Sequence, residues 1–200
     1  CRAHRLEHLC LLPDYEDRGG LLEAAIHASE GLLLSGRRAH AVGRPDSSAY
    51  LGLGAFMLVR REALEAAGGL EPLRLAVLDD MALARRLRDA GARARVRRAG
   101  SLVRVEWYGR LGGLVRGLEK TFLAAARFSP RRAAGLGAGL VILGLGPPLT
   151  AAFGALPGAR GVGALALFTL SVSAVVRSRR AGRPLRRALL APLGLVVLGV

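Results

Sequence analysis

Every acidic residue of this 200-residue chain lies at or before Glu119, and the stretch from Lys120 to Val200 is apolar segments broken only by bases. Residues 1–119 hold all 15 Asp and Glu against 19 Arg, while residues 120–200 hold 11 bases and no acid. Most of the net charge of +15 therefore sits in the apolar tail. Charge placed around apolar spans is what orients a chain in a bilayer. The pattern predicts a mixed, water-facing domain followed by a membrane anchor.

The tail divides into three apolar stretches. Ala133 to Leu156 is 24 residues without a charge, enough to cross a hydrocarbon core of about 30 Å at about 1.5 Å per residue. Pro147 and Pro148 inside it predict a kink or a break. Gly161 to Val176 is 16 residues and spans if Arg160 and Arg177 snorkel towards the headgroups. Ala188 to Val200 reads as a cut-off third span or a buried apolar end. Arg127, Arg131 and Arg132 precede the first span, only Arg160 lies in the turn at 157–160, and Arg177, Arg179, Arg180, Arg183, Arg186 and Arg187 follow the second. The excess of bases places residues 1–132 and 177–187 in the cytoplasm and the turn outside, as in a multi-pass protein of the cytoplasmic (inner) membrane. Nucleic acid is the other partner that a charge of +15 suggests. Bases clustered at span ends and a 4% aromatic content exclude it as the expected partner.

Between the two parts, Leu111, Leu114, Val115, Leu118, Phe122 and Ala125 recur at helical spacing, with Arg116, Glu119, Lys120 and Arg127 largely elsewhere on the wheel. Residues 110–132 thus read as an amphipathic segment that lies in the membrane interface, or packs on the domain, and leads into the first span.

In the first part, helices are predicted at Glu16–Leu34, Arg61–Ala67 and Asp79–Ala90, ended in the last two cases by Gly68-Gly69 and Gly91. Leu83, Ala84, Leu87 and Ala90 mark one side of the third helix, leaving Arg85, Arg86 and Arg88 exposed. Tyr50–Val59 reads as a buried strand, with Gly52 and Gly54 where a backbone approaches something closely. Ala92–Arg98 and Leu102–Trp107 alternate as half-buried strands do. Ser35–Ser48 is a Gly, Pro, Arg and Ser-rich loop. Alternating helices and strands predict an α/β sheet, with fewer strands than a complete one needs. Cys1 and Cys10 make no disulfide framework. With His4 and His8 they can be drawn as a zinc set, but the spacing matches no common site; His27 and His40 read as surface residues. The opening at Cys1 without an initiator methionine, and the end inside an apolar run, lead to the expectation of a fragment.

The run Gly54-Ala55-Phe56-Met57-Leu58-Val59-Arg60-Arg61-Glu62-Ala63-Leu64, the Gly68-Gly69-Leu70 turn and Leu78-Asp79-Asp80-Met81-Ala82-Leu83-Ala84 follow one another in an order that resembles the second half of family 2 glycosyltransferases. Trp107-Tyr108-Gly109 through Gly117-Leu118-Glu119-Lys120, followed by spans, is similar to the membrane-bound branch acting on lipids, such as carotenoid- and hopanoid-associated transferases. The resemblance covers roughly residues 45–130. It implies a partial GT-A fold over residues 1–109, lacking the nucleotide-binding half, before residues 110–132 and a transmembrane region over 133–200 (about 133–156, 161–176 and 188–200). It implies an inverting transfer from a nucleotide-sugar donor to a lipid acceptor. Such a transfer needs a carboxylate to take the proton of the attacking hydroxyl, and Asp80 is the residue that matches, with Asp79 orienting the acceptor or the base. Gly54, Trp107, Tyr108 and Lys120 fall to the acceptor side. The bland alternative is that two acids open a helix because they suit its dipole and cap its N–H groups.

Two departures accompany the resemblance. The family's Asp-x-Asp, which holds a divalent cation (Mg or Mn) on the donor diphosphate, is absent, and Asp14-Tyr15-Glu16-Asp17 is the nearest acidic cluster, misplaced and without strand context. Val103-Arg104-Val105-Glu106-Trp107 keeps only the Trp of the processive members' Gln/Arg-x-x-Arg-Trp, which favours single-sugar transfer. Trp107 then stacks on an acceptor or anchors at the interface. The competing expectation is a non-enzymatic membrane protein or scaffold retaining a degenerate transferase-like domain.

Overall fold

A five-residue apolar run, His8–Leu12, forms the strand on which the domain is built. The computed structural model describes residues 5–16, 19–180 and 190–199. Cys1, His4, Asp17, Arg183, Arg186, Arg187 and the ends of the 188–200 stretch lie outside the described residues. In order, the elements are β1 (His8–Leu12), β2 (Asp14–Tyr15), α1 (Gly20–Gly36), β3 (Met57–Val59), α2 (Arg61–Ala66), α3 (Asp79–Asp89), β4 (Ala94–Arg98), β5 (Arg104–Val105), α4 (Leu111–Ala125), α5 (Pro130–Phe153), α6 (Ala159–Arg180) and α7 (Ala191–Gly199). They form two compact units. One comprises residues up to Glu16 with Leu32–Trp107, and the other residues up to Gly31 within α1 with those from Tyr108 onward. The first part of α1 thus groups with the C-terminal helices rather than with the sheet.

In the first unit β1 is central in the order β3-β1-β4, antiparallel to β3 with Cys10 opposite Met57 and parallel to β4 with His8 opposite Ala94. β2 and β5 form a separate parallel ladder, Asp14 opposite Arg104 and Tyr15 opposite Val105. Alternate residues of β1 are buried, and Cys10 and Leu12 join Leu51 of the 50–56 loop and Met81 of α3 in one apolar cluster. Full burial of a side chain such as Leu51 stabilises by about 2 kcal/mol. The expected strand over Tyr50–Val59 contracts to Met57–Val59 with Leu58 exposed. Its first part, with Gly52 and Gly54, bends out of the ladder at a turn in which Phe56 N–H donates to the Leu53 carbonyl. The strand expected at Leu102–Trp107 likewise keeps only Arg104–Val105, and α1 starts at Gly20 because Asp14–Tyr15 is committed to β2 and Glu16 N–H to the Val105 carbonyl.

α3 buries Met81, Ala84 and Leu87. Arg86 and Arg88, expected in solvent, instead donate to the Ala67 and Ser48 carbonyls at 2.9 and 3.0 Å. Gly91 at φ 82° ends the helix in the left-handed conformation, and Ala92 N–H closes back on the Leu87 carbonyl.

In the second unit α4 ends by the same backbone device, with Phe128 N–H on the Leu123 carbonyl, yet Arg127 occupies the left-handed position at φ 53°. Only Leu114 and Leu118 of its apolar face are buried, and Val115 is 45% exposed. Ser129 caps α5 and Pro130 opens it. α5 continues unbroken through Pro147 and Pro148. α5 and the Ala159–Val176 part of α6 are long and apolar enough to cross a membrane, and only 11% of each window is buried. α6 and α7 pack on α5, where added Cβ atoms on Gly163 and Gly144 would meet Ala151 and Pro192 backbone at 2.4 and 2.6 Å. The described part of the 188–200 stretch is the nine-residue helix α7, about 13 Å long.

His27, expected on the surface, is largely covered, 3.6 Å from Glu23 and 3.7 Å from Glu30 on the same helix. The two left-handed helix ends make a paired prediction: Arg127→Gly raises stability and Gly91→Ala lowers it, each by about 1 kcal/mol. Thermal unfolding of the two variants in the same detergent measures both.

Candidate functional site

The acid pair opens α3, where the free N–H groups of the first turn favour negative charge. Asp79 is exposed and its Oδ1 accepts from Asp80 N–H at 3.0 Å. Asp80 is half-buried and both its oxygens are held: Gly54 N–H donates to Oδ2 at 2.9 Å and Met81 N–H to Oδ1 at 2.6 Å. A carboxylate oxygen has two lone-pair directions, so each retains capacity for a proton donor.

Glycine makes the first of these bonds possible. A Cβ on Gly52 would lie 2.0 Å from the Asp80 carbonyl oxygen, so only a residue without one lets the 50–56 loop run against the start of α3. The same contact carries Gly54 to the carboxylate. Gly54, Ala55 and Phe56 are exposed, so one side of Asp80 is covered by protein and another faces an open loop. Pairing of Met57 with Cys10 on the antiparallel β3 carries Gly54 past the carboxyl end of β1. The acid pair is therefore at the carboxyl edge of the parallel strands, where α/β sheets hold their ligands.

Beneath it lies Cys10, fully buried. Burial pushes its thiol up to about 11; the Asp80 charge adds to the rise and a backbone hydrogen bond from Leu53 opposes it. Cys10 is thus a neutral packing residue at physiological pH rather than a nucleophile or a ligand. Among the described residues no three His, Cys, Asp or Glu gather in a metal-binding group. The zinc set drawn from the sequence reduces here to His8 and Cys10, both buried in β1.

The remaining acceptor-side candidates go elsewhere. Trp107, just after β5, stacks on Tyr15 of β2 with ring centroids 5.6 Å apart at 22°, which uses one of its faces within the domain. Asp14 and Tyr15, expected to lack strand context, are therefore part of a ladder. Tyr108 lies over α4, where a Cβ on Gly117 would meet its hydroxyl. Lys120 is exposed on that helix, and both residues belong to the second unit. The structure brings together Asp79, Asp80 and Gly54.

An element not singled out from the sequence is the segment leading into the acid pair. Leu70 is 59% exposed and Leu75 95%, and Val77 is also exposed. Arg74 pairs with Glu71 beside them. Large apolar side chains held in solvent two to nine residues before the first carboxylate were visible in the sequence as Leu70, Leu75 and Val77, but no periodicity marks them as outward-facing.

Residues 39–106 match the family described as Glycosyl transferase family 21. The matched stretch contains Gly52, Gly54 and the Asp79-Asp80 pair. No curated protein and no solved structure matches the chain. The similarity supports transfer of a sugar and differs from family 2 in the family it names.

Gly52→Ala is expected to destabilise the domain by about 3 kcal/mol, because the added methyl meets backbone rather than a movable side chain. Gly54→Ala, whose Cβ would sit 3.7 Å from Asp80 Oδ2, is tolerated sterically. Denaturant unfolding of the two variants should separate them.

Proposed function

We propose that this chain is the acceptor-side half and membrane anchor of an inverting glycosyltransferase, of GT-A type and allied to family 2, that moves a sugar from a nucleotide-sugar donor to a lipid or isoprenoid hydroxyl. The observation that carries this is the held, half-exposed carboxylate of Asp80 at the carboxyl edge of the sheet. The family 21 similarity over the same residues supports it. In the step proposed, the acceptor oxygen attacks the anomeric carbon, the bond from that carbon to the nucleotide diphosphate breaks, and the hydroxyl proton passes to Asp80. Two N–H donors fix the carboxylate so that it does not have to be reoriented as the proton arrives. Asp79, exposed beside it, orients the acceptor.

An apolar acceptor suits the exposed Leu70, Leu75 and Val77 just before the acids, and the two apolar helices support a membrane location. The divalent cation of the complete family enzyme finds no ligand set among the described residues, and the proton transfer to Asp80 does not pass through it. Trp107, Tyr108 and Lys120 remain proposals for acceptor contacts.

Asp80→Asn is expected to lower kcat by about 10²-fold or more in the natural gene product. The structure adds a cost to this variant, since an amide can accept only one of the two N–H bonds and stability falls by about 1 kcal/mol. Activity is therefore read per folded molecule. Asp79→Asn is expected to be milder; equal, small losses in both would return the pair to a helix cap and support a non-enzymatic scaffold.

The proposed topology places residues 177–187 and the domain in the cytoplasm, with the turn after α5 outside. With Cys1 replaced, and Cys10 silent because it is buried and neutral, a cysteine at Gly158 should react with an impermeant maleimide in intact cells and one at Ser178 should not. The opposite pattern inverts the orientation.

A further inference from the structure

At the other edge of the same sheet is a cavity of about 550 Å³, lined by His8 at the start of β1, Asp89 at the end of α3 and Ala94 at the start of β4. α3 separates it from Asp80 by nine residues, roughly 14 Å along the helix. Three arginines reach it: Arg44, Arg88 and Arg93.

His8 is the unusual group. It is 1% exposed, and neither ring nitrogen has a hydrogen-bond partner among the described residues. Burial alone lowers it to about 4, so at neutral pH it is an uncharged imidazole offering one donor and one acceptor. Leaving both unmade costs the desolvation of each. Arg88 Nε is a second buried, unpartnered polar atom on the same cavity, although its other nitrogens bind the Ser48 carbonyl and Asp89 and its guanidinium lies 5.7 Å over the Tyr50 ring. Arg44 is tied to Asp46 through Nε and Nη2, and Arg93 approaches Glu7 through Nε, which leaves Nη1 of Arg44 and both terminal nitrogens of Arg93 outside those pairs. The acid that lines the cavity, Asp89, is already engaged by Arg85 and Arg88.

We infer that this cavity is a binding site for a phosphate group, separate from the acid pair, with His8 and Arg88 Nε at its floor and Arg44 and Arg93 at its rim. A tetrahedral anion with several acceptor oxygens suits a cavity lined by donor-bearing residues from four separate segments, and arginine forks match its geometry. A monoprotonated phosphate also carries the O–H donor that the second nitrogen of His8 lacks. Pro45, Leu51 and Ala84 form apolar wall beside the donors, which accommodates the body of a phosphate ester. Nothing in the site requires Asp80, so its failure leaves the proposed sugar transfer untouched.

Titration of the full chain in neutral detergent with inorganic phosphate, followed by calorimetry, tests it. Saturable one-to-one binding is expected, weakened about tenfold by Arg44→Gln and by Arg93→Gln, both exposed side chains whose removal leaves the unliganded unfolding midpoint in place. Arg74→Gln removes the same charge from a site outside the cavity and should leave the affinity as it was. His8→Phe should abolish binding where it folds. Glycerol 3-phosphate binding as well as phosphate would mark a soluble ester as the occupant, and tighter binding of dihexanoyl phosphatidic acid a lipid headgroup. Lack of saturation, or an Arg74→Gln loss equal to that of Arg44→Gln and Arg93→Gln, would overturn the site and reduce the binding to attraction by a chain of charge +15.

Discussion

The approach of the Gly52 backbone to the carbonyl of Asp80 fixes the geometry around it. It holds the 50–56 loop against the first turn of α3, and from that contact follow the seat of Leu51 in the core and the bond from Gly54 to the carboxylate. Gly52 N–H points at the Met81 sulfur at 3.5 Å, so the loop is tied to successive residues of the helix. A side chain at position 52 would separate the two and leave Asp80 as an ordinary first-turn acid. The helix dipole explains why acids are tolerated there; it does not explain why a second segment delivers an N–H group to one of them.

The two helix-ending glycine signals and the acidic opening of α3 were legible because their chemistry is local: a left-handed residue ends a helix wherever it occurs. The central strand was not. His8-Leu9-Cys10-Leu11-Leu12 is five residues of apolar or small polar character, too short for periodicity to declare itself, and its His and Cys suggest ligands before they suggest a strand. Its importance is a property of pairing with Met57–Val59 and Ala94–Arg98, 47 to 51 and 86 residues away. The same holds for Asp14–Tyr15, whose strand character exists only because Arg104–Val105 lies beside it. At the site, the acids could be named from their order in the chain, whereas the clasp on Asp80 and the stack of Trp107 on Tyr15 depend on contacts across 26 and 92 residues.

Both edges of the parallel pair carry polar chemistry, and the physical situations differ. At the carboxyl edge the acids meet backbone donors and open loop, so charge is stabilised where it is formed. At the amino edge a histidine is buried with no hydrogen-bond partner among the described residues, beside three arginines that each keep at least one nitrogen outside their ion pairs. The first arrangement is complete as it stands. The second leaves donors and acceptors unsatisfied among the described residues, and it is burial that holds His8 neutral.

In the C-terminal unit, composition and packing act together. Two adjacent prolines remove two N–H donors from α5 and should free carbonyls a turn earlier. The helix nonetheless persists, and Thr150, just beyond them, donates its hydroxyl back to the carbonyls of Gly146 and Pro147. These are not the Leu143 and Gly144 carbonyls whose donors the two prolines remove, so the hydroxyl serves a different pair of carbonyls one turn nearer the helix end. At the end of the same helix Arg160 Nε donates to the Gly154 carbonyl. The single base of the turn is thereby engaged at a helix terminus that favours positive charge. Its presence there is accounted for by that bond.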